Sequence, residues 1–406
     1  MADIGAIAQS PAKAVVKSDN FEWDGNGFEA GIGIAASGGG FRATLFHAGA
    51  FLRLAELRLL QQAKRISSVS GGSIATGLLG SLWSQLAADD FQSMKTVYVD
   101  AILEFCRLKI DVVDAAKGML PGTTAAIELV KSYDDHLFKG KTLQDLPDGP
   151  RFVFCATNLQ TGVLWRFSKP YAGDYVVGRI DQPTFRIAEA VAGSSAFPPV
   201  LSPLILTAKD GSFRDWPHDD RDPEPDIKSF RQKVILTDGG VYDNHGMEPI
   251  IKRLTTIFVS DGGAPFTRNA KVGDGWVDQL RRILDVTDNQ VRALRRRSLI
   301  ERFEAGNTIP DETTLVATHS HARFGAYWGI DTNPEKIEPE NALSCSAKTA
   351  EKLSNVATRL TDLGEDISKQ LVNWGYAVCD RSVRANYKRV GVAREPSFPY
   401  PEAPLS

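Results

Sequence analysis

The chain of 406 residues is short of several features that would announce a function. Its four cysteines, Cys106, Cys155, Cys345 and Cys379, show no C-x-x-C spacing, which argues against a structural zinc site and fits reduced, buried thiols in a cytoplasmic protein. Charge of one sign is not in excess: 47 Lys and Arg stand against 50 Asp and Glu, a net charge of −3, so nothing points to nucleic acid as a partner. No apolar run approaches the roughly 18 residues of a membrane span, so contact with a membrane is expected only at its surface. The opening residues, MADIGAIAQSPAKAVVKSDNFEW, lack a basic stretch followed by an apolar core and read as a tail over 1–25 rather than a secretory signal. No internal repeat and no long linker is visible.

Strand-like and helix-like patterns alternate through the rest of the chain. Ala30 to Ala36 reads as a buried strand, the glycines Gly38 to Gly40 as a turn, and the residues after them as a helix with apolar residues at Leu45, Ala48, Phe51 and Leu52. A second unit follows in "RISSVSGGSIATGLLGSL", residues 65–82, where a short strand ends near Val69 and a small-residue helix starts near Gly72. Helical segments are expected over about Phe91 to Tyr133, a strand pair over "RFVFCATNLQTGVLWRFS", and a helix in "TFRIAEAVAGSSAFPPVLSPL" stopped by Pro198 and Pro199. The polar, proline-bearing stretch 208–232 reads as a surface insertion. "KVILTDGG" and "TTIFVSDGG" are strands that each end in Asp-Gly-Gly, residues 276–304 form an arginine-rich helix, and helix is expected again around Ala347 to Trp374. This alternation predicts an α/β fold with a mostly parallel central sheet and helices on both faces, one elaborated domain over 26–330 with 331–406 packed on it as a helical extension and proline-rich tail.

Three loops fall at the ends of predicted strands, where open α/β sheets bind their ligands: Gly38-Gly39-Gly40, Ser70, and Asp238 with Gly239 and Gly240. Ser70 stands at the strand-to-helix corner, flanked by the small residues Ser68, Gly71 and Gly72, the setting of a nucleophile elbow. Ser73, in the first helical turn, is better suited to local hydrogen bonding. Consecutive glycines let backbone N–H groups converge on one oxyanion. No lysine and threonine follow as in a nucleoside triphosphate loop, and the spacing of Gly31, Gly33 and Ala36 falls inside a strand rather than at a dinucleotide-binding turn. Neither metal nor cofactor is implied.

"ASGGGFR", "SVSGG" and "LTDGGVYDN", in this order, resemble the patatin-like phospholipases, with further likeness in "HLFKGKTLQDLP", "CATNLQTG" and "AVAGSSAFPP". The resemblance implies a three-layer α/β/α fold and a lipid acyl hydrolase that works through a serine-aspartate dyad on phospholipid or another lipid ester. By position it implies Ser70 as nucleophile, Asp238 as base, Gly38, Gly39 and Gly40 as oxyanion loop, and Arg42, Gly71, Gly72, Gly239 and Gly240 in support. Two departures stand out: Ser68 in place of the first glycine of the serine motif, and Ala43 in place of the last glycine of the loop.

Two alternatives remain open at the level of sequence. Ser70, then Asp238 or Asp261, then His319 or His321 matches the order of an α/β-hydrolase triad, and a non-catalytic lipid or nucleotide sensor could share the fold. Asp261 is expected to tie a loop, and Thr157, Asn158, Asp243 and Asn244 to fix loops around the site. "QVRALRRRSLIERF", residues 290–303, carries Arg292, Arg295, Arg296, Arg297 and Arg302 beside apolar residues, and is expected either to seat the protein on anionic lipid or to pack as an ordinary helix.

Overall fold

The computed structural model describes residues 28–110, 125–208, 211–216, 224–318, 321–390 and 394–406. Strand β1 (Glu29–Ala36) lies between β2 (Ala63–Ser68) and β10 (Leu254–Asp261), with β3 (Arg151–Asn158) beyond β2 and β11 (Phe324–Gly329) beyond β10. These five strands, in the order β11-β10-β1-β2-β3, are parallel. From β3 outward the sheet turns antiparallel through β4 (Val163–Phe167), β5 (Tyr171–Asp174), β6 (Gly178–Asp181) and β8 (Phe213–Arg214).

A branch carries β7 (Leu204–Thr207) and β9 (Lys233–Asp238), with β9 antiparallel to both β7 and β3. The lower half of β3 pairs with β2 through Arg65 to Ser68, and its upper half pairs with β9 through Leu236 to Asp238. β2 and β9 therefore run toward each other along one edge of β3 and end on either side of Cys155. β9 is thus an antiparallel member of a sheet expected to be mostly parallel, and this sets the C-terminal ends of the two strands face to face.

Helix α1 (Gly40–Glu56) follows β1, and α2 (Gly71–Ala88) follows β2. α1 is buried nearly all round, because it is covered on its far side by α5 (Glu365–Asn386). α1 and α5 touch backbone to backbone: a methyl on Gly49 would meet the Val372 carbonyl, and one on Gly375 the Phe46 carbonyl. The opposite face of the sheet carries a smaller core of Ala35, Met247, Ile250, Leu254, Ile257, Val259 and Leu299, closed by α4 (Trp276–Gly306). Helix α3 (Ile187–Ser194) ends four residues before Pro198.

Several expected boundaries move. Helix around Ala347 to Trp374 is two helices, Ala347–Ser354 and α5, because the stretch between them supplies backbone carbonyls to the start of α1. Arg359 O accepts the Phe41 N–H at 2.9 Å, and Val356 O is bonded by Arg42. β11 was not expected, since two of its six residues are glycine; the missing Cβ of Gly325 is what lets Ile257 of β10 approach. The insertion 208–232 is partly sheet: β8 joins the edge, Trp216 is buried with its Nε1 donating to Asp174 O at 2.8 Å, and Ile227–Gln232 is helical. Between Phe91 and Tyr133, helical turns run over Met94–Val99, Asp100–Phe105 and Ala125–Tyr133.

Candidate active site

Ser70 occupies the corner between β2 and α2 with φ 52° and ψ −120°, a conformation costly for any residue with a Cβ. It holds the N-cap position of α2, where a serine side chain ordinarily accepts a helix N–H, yet it makes no capping bond. Its hydroxyl is thereby left for other work. The corner is so tight that a methyl on Gly71 would strike the backbone of Gly40, one on Gly72 that of Ala36, and one on Gly239 the carbonyl of Cys155.

Asp238 ends β9 opposite, almost fully buried, with Oδ1 accepting the Gly240 N–H at 2.7 Å. Burial pushes its carboxyl from about 3.8 up to about 6, against the Gly240 N–H and the Ser70 hydroxyl, which favour the charged form, and with a further upward push from Asp288. Thr157 Oγ1 donates to the Asp238 carbonyl at 2.8 Å and fixes the end of the strand.

The glycine loop passes beside Ser70: a Cβ built on Gly38 would lie 3.2 Å from Ser70 Cβ and would collide with Asn244 Oδ1. The Gly38 N–H itself donates to Asn244 O at 3.1 Å. Of the three expected oxyanion donors, Gly38 is therefore occupied. Gly39 (φ 146°) and Gly40 (φ 58°) adopt conformations that favour glycine, and their N–H groups have no acceptor among the described residues. They sit at the open N-terminal end of α1, where the helix dipole adds positive potential.

Arg42 does not reach into this space. It is buried, donates from Nε and Nη2 to Gly262 O at 3.2 and 3.1 Å, and bonds Val356 O. Burial, then the nearby charge of Arg292, lowers its pKa to about 10 despite Asp261. Its role is to tie the glycine loop to the loop after β10 and to the C-terminal segment.

The two departures from the expected motifs have visible compensation. The Ser68 hydroxyl accepts from Ser73 Oγ at 3.0 Å and Thr76 Oγ1 at 2.6 Å, so the extra group is absorbed in a buried hydroxyl cluster. Ser194, at the end of α3, completes it: its Oγ meets Ser73 Oγ at 2.8 Å, accepts the Ser70 N–H at 3.0 Å and donates to Cys155 O at 2.6 Å. Ser194 was not singled out from sequence, although "AVAGSS" carried the signal: a small-residue helix ending in hydroxyls. Ala43 lies under Gly39 and Gly262, filling the place a glycine would leave open.

Asp261 is held in a different network. Its carboxylate meets His245 Nε2 at 3.1 Å, Tyr327 OH at 2.8 Å, Arg292 Nη2 at 3.2 Å and the Gly263 N–H at 3.0 Å. Burial alone would raise its pKa, but the Arg292 charge, with His245 and Tyr327, holds it well below the usual carboxylate range. A carboxylate so satisfied is a poor base, and it ties the loop as expected. Asp243 likewise accepts the N–H groups of His245 and Glu248, and Asn158 bonds Asp174 and Gln160.

Among the described residues no histidine is hydrogen-bonded to Ser70 or Asp238. His47 is buried between Ser260 Oγ and Ser37 O, His245 pairs with Asp261, and His321 is exposed beside Arg302; His319 lies outside the described residues. No group of three or more metal-ligating side chains, and no helix long and apolar enough to cross a membrane, occurs among the described residues.

Arg292, Arg295 and Arg302 of 290–303 are half-buried against the domain, whereas Arg296 is exposed. Arg292 pairs with Asp261, Arg295 with Glu248 at 3.1 Å and Asp243 at 3.7 Å, Arg296 with Asp331 at 3.9 Å, and Arg302 donates to His321 O at 3.2 Å. Arg292 and Arg295 therefore serve the packing alternative expected for this segment, their charges met by Asp261, Asp243 and Glu248. Arg297 stays exposed.

The fold has relatives. Human group IVD cytosolic phospholipase A2 superposes with a TM-score of 0.50 at 13% identity, over 90% of this chain and 60% of that one, so this chain spans about 60% of its length. The VipD protein of Legionella pneumophila is a weaker match, with a TM-score of 0.34 and 13% identity over 88% of this chain and 67% of that one. Curated protein sequences give no significant match. The model of a sequence family described as patatin-like phospholipase matches residues 34–251, more than half of the chain, and the chain belongs to that family.

Proposed function

We propose that this protein is a lipid acyl hydrolase of the phospholipase A or esterase type, with Ser70 as nucleophile and Asp238 as its base. The observation that carries the reading is the convergence of two strand ends on either side of Cys155: an uncapped serine on a strained corner comes close to a buried carboxyl whose pKa, raised by burial to about 6, suits proton transfer near neutrality. Family membership supports the lipid ester as substrate class.

In this mechanism Ser70 Oγ attacks the ester carbonyl carbon while its proton passes to Asp238. The carbonyl oxygen, now negative, is received by the N–H groups of Gly39 and Gly40. The C–O bond to the alcohol breaks as Asp238 returns the proton to the leaving oxygen, which leaves an acyl-Ser70 ester. Water then attacks that ester, gives its proton to Asp238, and the proton goes back to Ser70 as the fatty acid departs. Asn244 and Gly38 set the position of the loop, and Ser194 holds the backbone of Ser70. The absence of a histidine contact among the described residues supports a dyad over a triad.

The test is a panel of phospholipids and of esters of graded chain length, run on wild type, Ser70→Ala and Asp238→Asn. Both variants should lose several orders of magnitude in kcat with the fold intact. Full turnover in either would refute the assignment, and a wild type inert on every ester would refute the activity.

A further inference from the structure

Helix α4 is 31 residues long, and Leu299 and Gly306 are its only buried positions among those described. Its C-terminal half is fastened to the site by Arg292 and Arg295, and it packs on the short helix Gly240–Asp243 that follows Asp238. Its N-terminal half is exposed along its length. There, Trp276, Val277, Leu280, Ile283 and Leu284 recur at helical spacing and form one apolar stripe, with Trp276 79% and Ile283 58% exposed. Exposed apolar residues also flank Asp238: Phe197, next to the Ala196 carbonyl that accepts the Asp238 N–H, and Val241, three residues further along the chain.

We infer that the stripe Trp276–Leu284 is a docking face that seats the protein on a zwitterionic phospholipid surface, with the Ser70–Asp238 pair at its margin. The inference rests on the lipid hydrolase reading for its occupant. The choice of lipid follows from charge: between residues 266 and 288, Arg268, Lys271, Arg281 and Arg282 are matched by Asp274, Asp278, Asp285 and Asp288. Such a balance gives no net attraction to anionic lipid, so burial of apolar area must drive the contact. Tryptophan at the tip of the stripe suits the headgroup boundary, where an aromatic ring with one polar edge is favoured. The helix Gly240–Asp243, which directly follows Asp238, packs against α4, and Asp288, at the inner end of the exposed half, lies within electrostatic reach of Asp238.

The experiment uses the full chain with phosphatidylcholine vesicles. Wild type should bind them with a blue shift of the Trp276 emission, isolated by difference from Trp276→Phe, and added salt should not release it. Leu280→Ser/Ile283→Ser should bind about tenfold more weakly or worse, and its ratio of vesicle to soluble short-chain ester turnover should fall in step. Binding of the double variant like wild type, an unmoved Trp276 emission, or binding confined to anionic vesicles and reversed by salt would overturn the inference. So would a dimer by sedimentation that the double variant renders monomeric, since a second copy would then cover the face. A wild type that docks as described but hydrolyses neither vesicle lipid nor soluble ester would uphold the docking face and overturn the hydrolase reading.

Discussion

Replacing Asp238 by Asn should abolish turnover and stabilise the fold, by an amount that depends on pH. Folding raises the Asp238 carboxyl from about 3.8 to about 6, so the folded protein holds this proton more tightly than the unfolded chain. Stability therefore falls as pH rises between those values, and the deficit is complete above about pH 7. A shift of about two units at 1.36 kcal/mol each sets the deficit near 3 kcal/mol, of which about 1 kcal/mol is already present at pH 4.5. Asparagine removes the buried charge and keeps an oxygen for the Gly240 N–H, so the variant should gain up to about 3 kcal/mol at pH 7.5 and about 1 kcal/mol at pH 4.5. In a chain of 406 residues this corresponds to only about 1 °C in Tm per kcal/mol, so urea unfolding at the two pH values is the better assay. A gain that does not change with pH, or a loss at both, would refute the argument that burial of a charged carboxylate is what poises this base.

The same carboxyl predicts that kcat/KM on a soluble ester falls about tenfold from pH 7 to pH 5, because Asp238 accepts a proton only when ionised; a flat profile would count against it. Ser194→Ala removes the acceptor of the Ser70 N–H and a buried member of the hydroxyl cluster, so it should cost about 1–3 kcal/mol of stability and lower kcat more than it raises KM; wild-type kcat would show that the elbow needs no such support. Asp261→Asn leaves the half-buried Arg292 without its nearest counter-charge and should destabilise by about 3 kcal/mol, read by urea unfolding at pH 7.5; a shift under about 1 kcal/mol would show that the network around Asp261 is not structural.

The parallel part of the fold was legible because strand, glycine turn and helix follow one another within short distances at both Gly38–Gly40 and Ser70–Gly72, and each unit carries its own period and breakers. β9 was legible as a strand, but its direction was not, since direction depends on its long-range pairing with β3. β11 and the strands β5, β6 and β8 escaped because they are short or glycine-bearing and draw their stability from neighbours.

At the site, Ser70 and Asp238 stood out because residue type and local turn agreed. That Gly38 is spent on Asn244 could not be read, because the bond joins residues 206 positions apart. The arginines of α4 show the same limit: five positive charges in one stretch leave surface and packing both open, and the carboxylates that meet three of them, Asp243, Glu248, Asp261 and Asp331, come from four other segments.

The account's central claim is that Ser70 alone of the clustered serines is the nucleophile, activated by Asp238. The direct measurement is mass mapping of the protein after reaction with a serine-directed fluorophosphonate. The account predicts one adduct, on Ser70, formed at a rate that falls with protonation of Asp238 and absent in Ser70→Ala. An adduct on Ser68, Ser73 or Ser194, or undiminished labelling of Asp238→Asn, would contradict it.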